Sequence, residues 1–123
     1  MANKPVGWFE IYVQDMERAR KFYEAVFQTK LEELKSPGTE MWAFPMNAEG
    51  TGTSGSLAKA PGFPSGGNST VVYFNCADCA EEAGRVVKAG GRVQQEKISI
   101  GPYGFVAMAF DTEGNLFGLH SMK

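Results

Sequence analysis

"GWFEIYVQDMERARKFYEAVF", residues 7–27, decides the fold. Residues 7–13 alternate at period 2 and are rich in aromatic and β-branched types, which predicts a strand. Asp15 is a good N-cap for the segment after it. There Ala19, Phe22, Tyr23, Val26 and Phe27 recur at helical spacing and predict one apolar helix face. The strand has two unlike faces. Phe9, Ile11 and Val13 look like ordinary core, whereas Trp8, Glu10 and Tyr12 set a carboxylate between two large aromatics. Alternation alone does not say whether that second face meets water, core or a ligand.

The same order of elements recurs further along the chain. "LEEL" (31–34) and "EMWAFPM" (40–46) read as strands around the turn "KSPGT", with Pro45 placing the second at an edge or near its end. "NAEGTGTSG" (47–55) reads as a turn and "SGSLAK" (54–59) as a short strand. "APGFPSGGNS" (60–69) has the Pro, Gly and small polar content of a linker. The pattern then restarts. "TVVYFNCAD" (70–78) is a strand ending in Asp78, and "CAEEAGRVVKAGG" (79–91) is a helix with a capping box, Asp78 and Glu81, and a Gly90-Gly91 stop. "RVQQEKISI" (92–100), "GFVAMAFD" (104–111) and "LFGLHS" (116–121) supply three more strands. The turn "DTEGN" joins the last two through Gly114 or Asn115 at positive φ. Each half therefore reads β-α-β-β-β, with Asp15 matching Asp78, and Gly55 matching Gly118, at an offset of 63. That makes one α+β domain: module one at about 5–59, the linker at 60–69 and module two at 70–123.

The bulk numbers exclude several function classes. A chain of 123 residues with 43% apolar and 21% charged residues suits one compact globular domain. The net charge of −2 and the scattered basic residues give no electrostatic case for nucleic acid or an anionic membrane. No apolar run approaches the length of a membrane span. The start, "MANKPVGWFE", has neither a basic nor an apolar signal-peptide region, so a cytoplasmic protein is expected. There a structural disulfide is not expected.

"FEIYVQDMERARKFYEAVF" (9–27) and "AMAFDTEGNLFGLH" (107–120) resemble the opening and closing segments of the vicinal oxygen chelate superfamily. That group includes glyoxalase I, extradiol dioxygenases and the bleomycin and fosfomycin resistance proteins. The likeness is nearest to small glyoxalase-related, lactoylglutathione-lyase-like proteins and spans nearly the whole chain. It implies two βαβββ modules whose sheets curl into an open barrel with a concave cavity, helices on the convex side. On that fold Trp8, Glu10 and Tyr12 face the cavity, as do Val71, Tyr73, Asn75, Gly118 and His120. Phe9, Ile11, Val13, Val72, Phe74, Cys76, Phe117 and Leu119 face the helices. Homodimerisation is also implied by the family.

The resemblance also implies where a divalent metal would be held. The superfamily's His and Glu ligands fall here on Trp8, Val71, about Gly55, and Gly118, none of which ligates through its side chain. No metal cofactor is therefore expected. Glu10 and the lone histidine, His120, are the acid/base pair that this face assignment puts in one cavity, fit for moving a proton beside a carbonyl. Trp8, Tyr12, Tyr73, Asn75 and Tyr103 are the candidate ligand-binding residues, suited to a flat or apolar molecule held by stacking. "SIGPYGF" (99–105), which carries Tyr103, is either a rim over the cavity or a plain hairpin turn. The C-x-x-C at Cys76 and Cys79 has no second pair for zinc, and Cys76 should point into core, so coincidence is the better reading. Three functions compete: a metal-free binder of an apolar or aromatic small molecule, a divergent glyoxalase-type lyase or isomerase using Glu10 and His120, and a non-catalytic dimerisation module.

Overall fold

The computed structural model describes residues 5–46, 52–112 and 114–123. The chain divides into two compact units, residues 8–70 and residues 71–123 together with 5–7. Each is a βαβββ module. The expected turn at 47–55 lies largely, and that at 111–115 partly, outside the described residues.

The first unit contains β1 (Val6–Tyr12, whose first two residues count with the second unit), α1 (Met16–Phe27), β2 (Glu32–Leu34), β3 (Glu40–Ala43) and β4 (Ser54–Lys59). Its strands run in the order β2-β3-β4-β1. β1 pairs with β4 in parallel, and the other neighbours are antiparallel. Asp15 caps α1 by accepting a hydrogen bond from the Arg18 amide at 3.0 Å. The helix closes on Gln28, held in the left-handed region at φ 51°. β3 stops two residues short of Pro45, as a residue without an amide hydrogen requires.

Met16, Leu31 and Leu57 form the core of this unit, with Ile11, Val13, Ala19, Tyr23, Trp42 and Phe44 packed on them. Phe9 joins from the same side, its ring 5.7 Å from that of Phe44. The expected helix face is only half right. Ala19 and Tyr23 turn inward, but Phe22, Val26 and Phe27 are exposed by 60%, 54% and 63%. The stripe that packs is Met16, Ala19, Tyr23 and the stems of Arg20 and Glu24, whose heads find partners. The Arg20 guanidinium lies 3.5 Å from the Trp42 ring centroid, and Glu24 accepts from the Leu31 amide at 2.9 Å.

The second unit contains β5 (Thr70–Asn75, whose first residue counts with the first unit), α2 (Cys79–Val86), β6 (Arg92–Ser99), β7 (Phe105–Phe110) and β8 (Leu116–Ser121). Its order is β5-β8-β7-β6, with β5 and β8 parallel. Cys79, Ala83, Ala107 and Leu119 form its core, lined by Phe74, Cys76, Phe105 and Phe117. Asp78 caps α2 through the Ala80 amide and also receives Lys97 Nζ at 2.8 Å. That ammonium holds the Asp78 carboxyl below its ordinary value, with the amide hydrogen bond adding to the effect. After α2 the chain turns through Gly90 at φ 102°, and the Gly91 amide reaches back to the Val86 carbonyl at 2.9 Å. Gly114 takes the positive φ expected of the last turn, at 82°.

Residues 60–69, the expected linker, connect β4 to the second module. They fold onto the first unit: Phe63 stacks on Tyr12 at 4.5 Å, and Ser65 Oγ donates to the Tyr12 carbonyl at 2.9 Å. Gln14 Nε2 donates to the Phe63 carbonyl at 3.0 Å.

Candidate functional site

The side of β1 away from α1 is the chemically unusual surface of the first unit. Glu10 and Tyr12 are both buried there, and Trp8 is half-buried. A buried carboxylate is costly without donors. Tyr12 supplies one, its hydroxyl donating to Glu10 Oε1 at 2.8 Å. The parallel register sets Trp8 beside Ser54, Glu10 beside Ser56 and Tyr12 beside Ala58. Paired residues in a sheet project to the same face, so these belong together. β3 adds Ala43 beside Ser56 and Met41 beside Ala58. The floor under Glu10 and Tyr12 is therefore small: Ser56, Ala58 and Ala43, all within 1% of full burial.

Ser56 Oγ, at 0% exposure, has no hydrogen-bond partner. An unsatisfied buried hydroxyl costs about 1–3 kcal/mol. The same register corrects the position of Gly55. It pairs with Phe9 on the helix side, where a Cβ would strike the Phe9 ring. The residue facing Glu10 is Ser56. Sequence reading missed it, yet the signal was present. Leu57 is an obvious core residue, and strict alternation puts its neighbours Ser56 and Ala58 on the other face.

In the second unit the equivalent ladder position differs. Tyr73 pairs with Gly118, and a Cβ on residue 118 would overlap the Tyr73 ring. Asn75 pairs with His120 and lays its amide over Gly7, where again a Cβ would collide. Val71 is fully buried. His120 Nε2 lies 2.6 Å from the Tyr103 carbonyl. A carbonyl only accepts, so Nε2 carries the proton and Nδ1 is the nitrogen left to act as a base. Tyr103 sits in a short 3-10 turn, Gly101–Tyr103, and the residue is 55% exposed. Its backbone, not its ring, makes the contact with His120. Glu10 and His120 thus fall in different units, each with its own bonded partner.

Two open depressions mark the surface of the first unit. One, of about 540 Å³, is lined by residues of the 60–64 segment with Gln14 and Glu40, the other by Lys21, Glu24 and Gln28. Neither is lined by Glu10 or Ser56. The cysteines are not a redox pair: Cys79 is buried in the helix core, and burial, with the charge of Glu82, pushes the Cys76 thiol up to about 11.

Two modules of this topology, with a polar patch on the sheet face away from the helix, define a class. The chain belongs to the Glyoxalase/Bleomycin resistance protein/Dioxygenase superfamily, whose model matches residues 6–119. A glyoxylase-like domain-containing protein of Didymella fabae is 31% identical over 114 residues, covering 89% of this chain and 88% of the relative. Among solved structures, the hypothetical protein BH1468 of Bacillus halodurans superposes with a TM-score of 0.74 at 15% identity, covering 100% and 96% of the two chains. Methylmalonyl-CoA epimerase of Mycobacterium tuberculosis superposes with a TM-score of 0.69 at 15% identity, covering 97% and 88%. A variant of the Streptomyces coelicolor epimerase in complex with 2-nitronate-propionyl-CoA gives 0.67 at 18%, covering 96% of each chain. At these identities the structural likeness establishes the fold.

The places that the superfamily resemblance implies for a metal are Trp8, Val71, Gly118 and, on β4, about Gly55, where Ser56 is the residue beside Glu10. Three have no ligating atom, and a neutral serine hydroxyl is a weak one, so this donor set does not fit a divalent cation. Among the described residues, no three His, Cys, Asp or Glu side chains converge on a point that could hold one.

Proposed function

We propose that the protein binds an apolar or aromatic small molecule without a metal, against the face of the first unit that carries Trp8, Glu10 and Tyr12. The observation that carries this reading is the buried Glu10–Tyr12 hydrogen bond beside an unpartnered Ser56, on a sheet face where a purely structural module would bury apolar side chains. The fold's metal places carry no adequate ligands, so ring stacking and neutral hydrogen bonds take over recognition. Tryptophan fluorescence titrated with aromatic compounds tests it. Saturable quenching is the expected result, and its loss in Trp8→Phe assigns it to this face. Absence of any response across aromatic alcohols, phenols and hydrocarbons would contradict it.

A second reading makes Glu10 and His120 an acid/base pair of a divergent glyoxalase-type lyase or isomerase. It is favoured by the Nε2–H form of His120, which leaves Nδ1 as a base. Hemithioacetal turnover abolished by Glu10→Gln and by His120→Ala would support it, and no turnover in the unaltered protein would end it.

The exposed Phe22, Val26 and Phe27 on α1 support homodimerisation. Light scattering of Phe22→Glu/Phe27→Glu should then report a smaller species. No helix among the described residues is long and apolar enough to cross a membrane. The two free cysteines agree with the reducing cytoplasm, where we place the protein.

A further inference from the structure

We propose that Phe63 is a built-in occupant of the binding face: its ring takes the stacking place on Tyr12 that an aromatic ligand needs, and binding displaces it. The inference rests on the binding reading above and says how a covered face is reached. Glu10 and Tyr12 are only 9% and 8% exposed. Part of their cover is the Phe63 ring, 4.5 Å from the Tyr12 ring and 18° from parallel with it. A flat aromatic guest on a tyrosine adopts the same kind of geometry.

The segment that carries Phe63 is fastened at its ends and lightly held between them. The Val13 amide donates to the Ala58 carbonyl at 2.9 Å, and the Tyr12 amide donates to the Ser69 carbonyl at 2.7 Å. Two adjacent residues thus fix both ends, as in a compact surface loop whose ends lie close. Between the ends, Gln14 Nε2 donates to the Phe63 carbonyl at 3.0 Å and to Ser65 Oγ at 3.4 Å. Both bonds are exposed, so water competes for them. Gly62 and Gly66 flank Phe63 at φ 85° and 80°, and a Cβ on either would meet nothing, so packing does not wedge them in place. An open depression of about 540 Å³, lined in part by Gln14, Pro61, Phe63 and Pro64, lies beside the ring. The ring therefore has room to leave Tyr12 while the strands stay paired. Local opening of this kind draws on the least stable parts of a fold.

Benzyl alcohol titrated into the full chain, followed by ligand-observed NMR, tests the displacement. Phe63→Ala vacates the place on Tyr12 and should bind between about twofold and tenfold more tightly than the unaltered protein, the worth of one aromatic pair. Gln14→Ala keeps the ring but loosens its hold, and should shift the affinity the same way by a smaller factor. Amide hydrogen exchange at residues 62–66 of the unaltered protein should quicken when benzyl alcohol saturates it. Weaker binding by Phe63→Ala, or slower exchange at 62–66 in the complex, would make Phe63 a wall of the site and overturn the inference while the binding reading stands. Equal affinity in the unaltered protein and both variants would also overturn it alone. If Phe63→Ala does not fold, Gln14→Ala and the exchange rates decide in the same way. Binding of benzyl alcohol by none of the three proteins would end both readings together.

Discussion

The two units use the same ladder position in opposite ways. In the first, Glu10 on β1 faces Ser56 on β4. In the second, Tyr73 on β5 faces Gly118 on β8. One pair is polar and keeps a hydroxyl without a partner; the other is a ring closed down on a glycine. The fold supplies both positions by the same topology, so the difference lies in side chains alone. One unit has a polar floor there and the other an aromatic cap. The lesson is that a repeated scaffold constrains where chemistry can sit and leaves its kind to single residues.

That contrast can be broken most forcefully at Gly118. Gly118→Ala puts a methyl into the Tyr73 ring, and overpacking of this kind should cost about 2 kcal/mol. Urea unfolding measures it, and in a Tyr73→Ala background the same change should cost much less. A cost below about 0.5 kcal/mol would mean that the ring moves aside freely.

Tyr12→Phe is the matching change in the first unit. It strips the donor at 2.8 Å from the Glu10 carboxylate and should cost about 1–2 kcal/mol at neutral pH. Glu10→Gln paired with Tyr12→Phe should cost less than the sum, because the two act on one hydrogen bond.

Burial in the second unit gives a smaller, pH-dependent effect. The Cys76 thiol is raised from 9.0 to about 11, so the folded chain keeps a proton that the unfolded chain gives up. Its contribution is complete below pH 9, the unfolded value, and is lost as pH rises towards 11. Stability should fall as pH rises between 9 and about 11, and Cys76→Ala should abolish that slope. Alkylation of Cys76 at pH 8 should be slow for the same reason.

Ser56→Ala should be the mildest change of all, within about 0.5 kcal/mol or slightly stabilising, since it deletes a hydroxyl that has no partner. A clear destabilisation would reveal a bonded Ser56 and remove the polar floor from the comparison.

Much of this was legible in the sequence because periodicity is dictated by geometry. The seven residues from Gly7 to Val13 alternate strictly, and Phe9, Ile11 and Val13 face the helix as alternation requires. Asp15 and Asp78 cap their helices as their side-chain chemistry allows. Three readings were less complete. The helix face of α1 was rotated, because apolar spacing at Phe22, Val26 and Phe27 was read as burial. Arg20 and Glu24 instead reach inward on long stems to Trp42 and the Leu31 amide. The residue of β4 beside Glu10 was expected at about Gly55 from the offset between the halves, whereas pairing register, a long-range property, puts Ser56 there. Residues 60–69 were read as a linker from Gly and Pro content, which says nothing of the Phe63–Tyr12 stack.

This superfamily member is proposed to bind its ligand through side chains and not through a metal. The affinity for benzyl alcohol, measured on one protein sample with a chelator and again with added nickel or manganese, addresses it directly. The same dissociation constant is expected in both conditions. Binding that vanishes with the chelator and returns with the metal would contradict it.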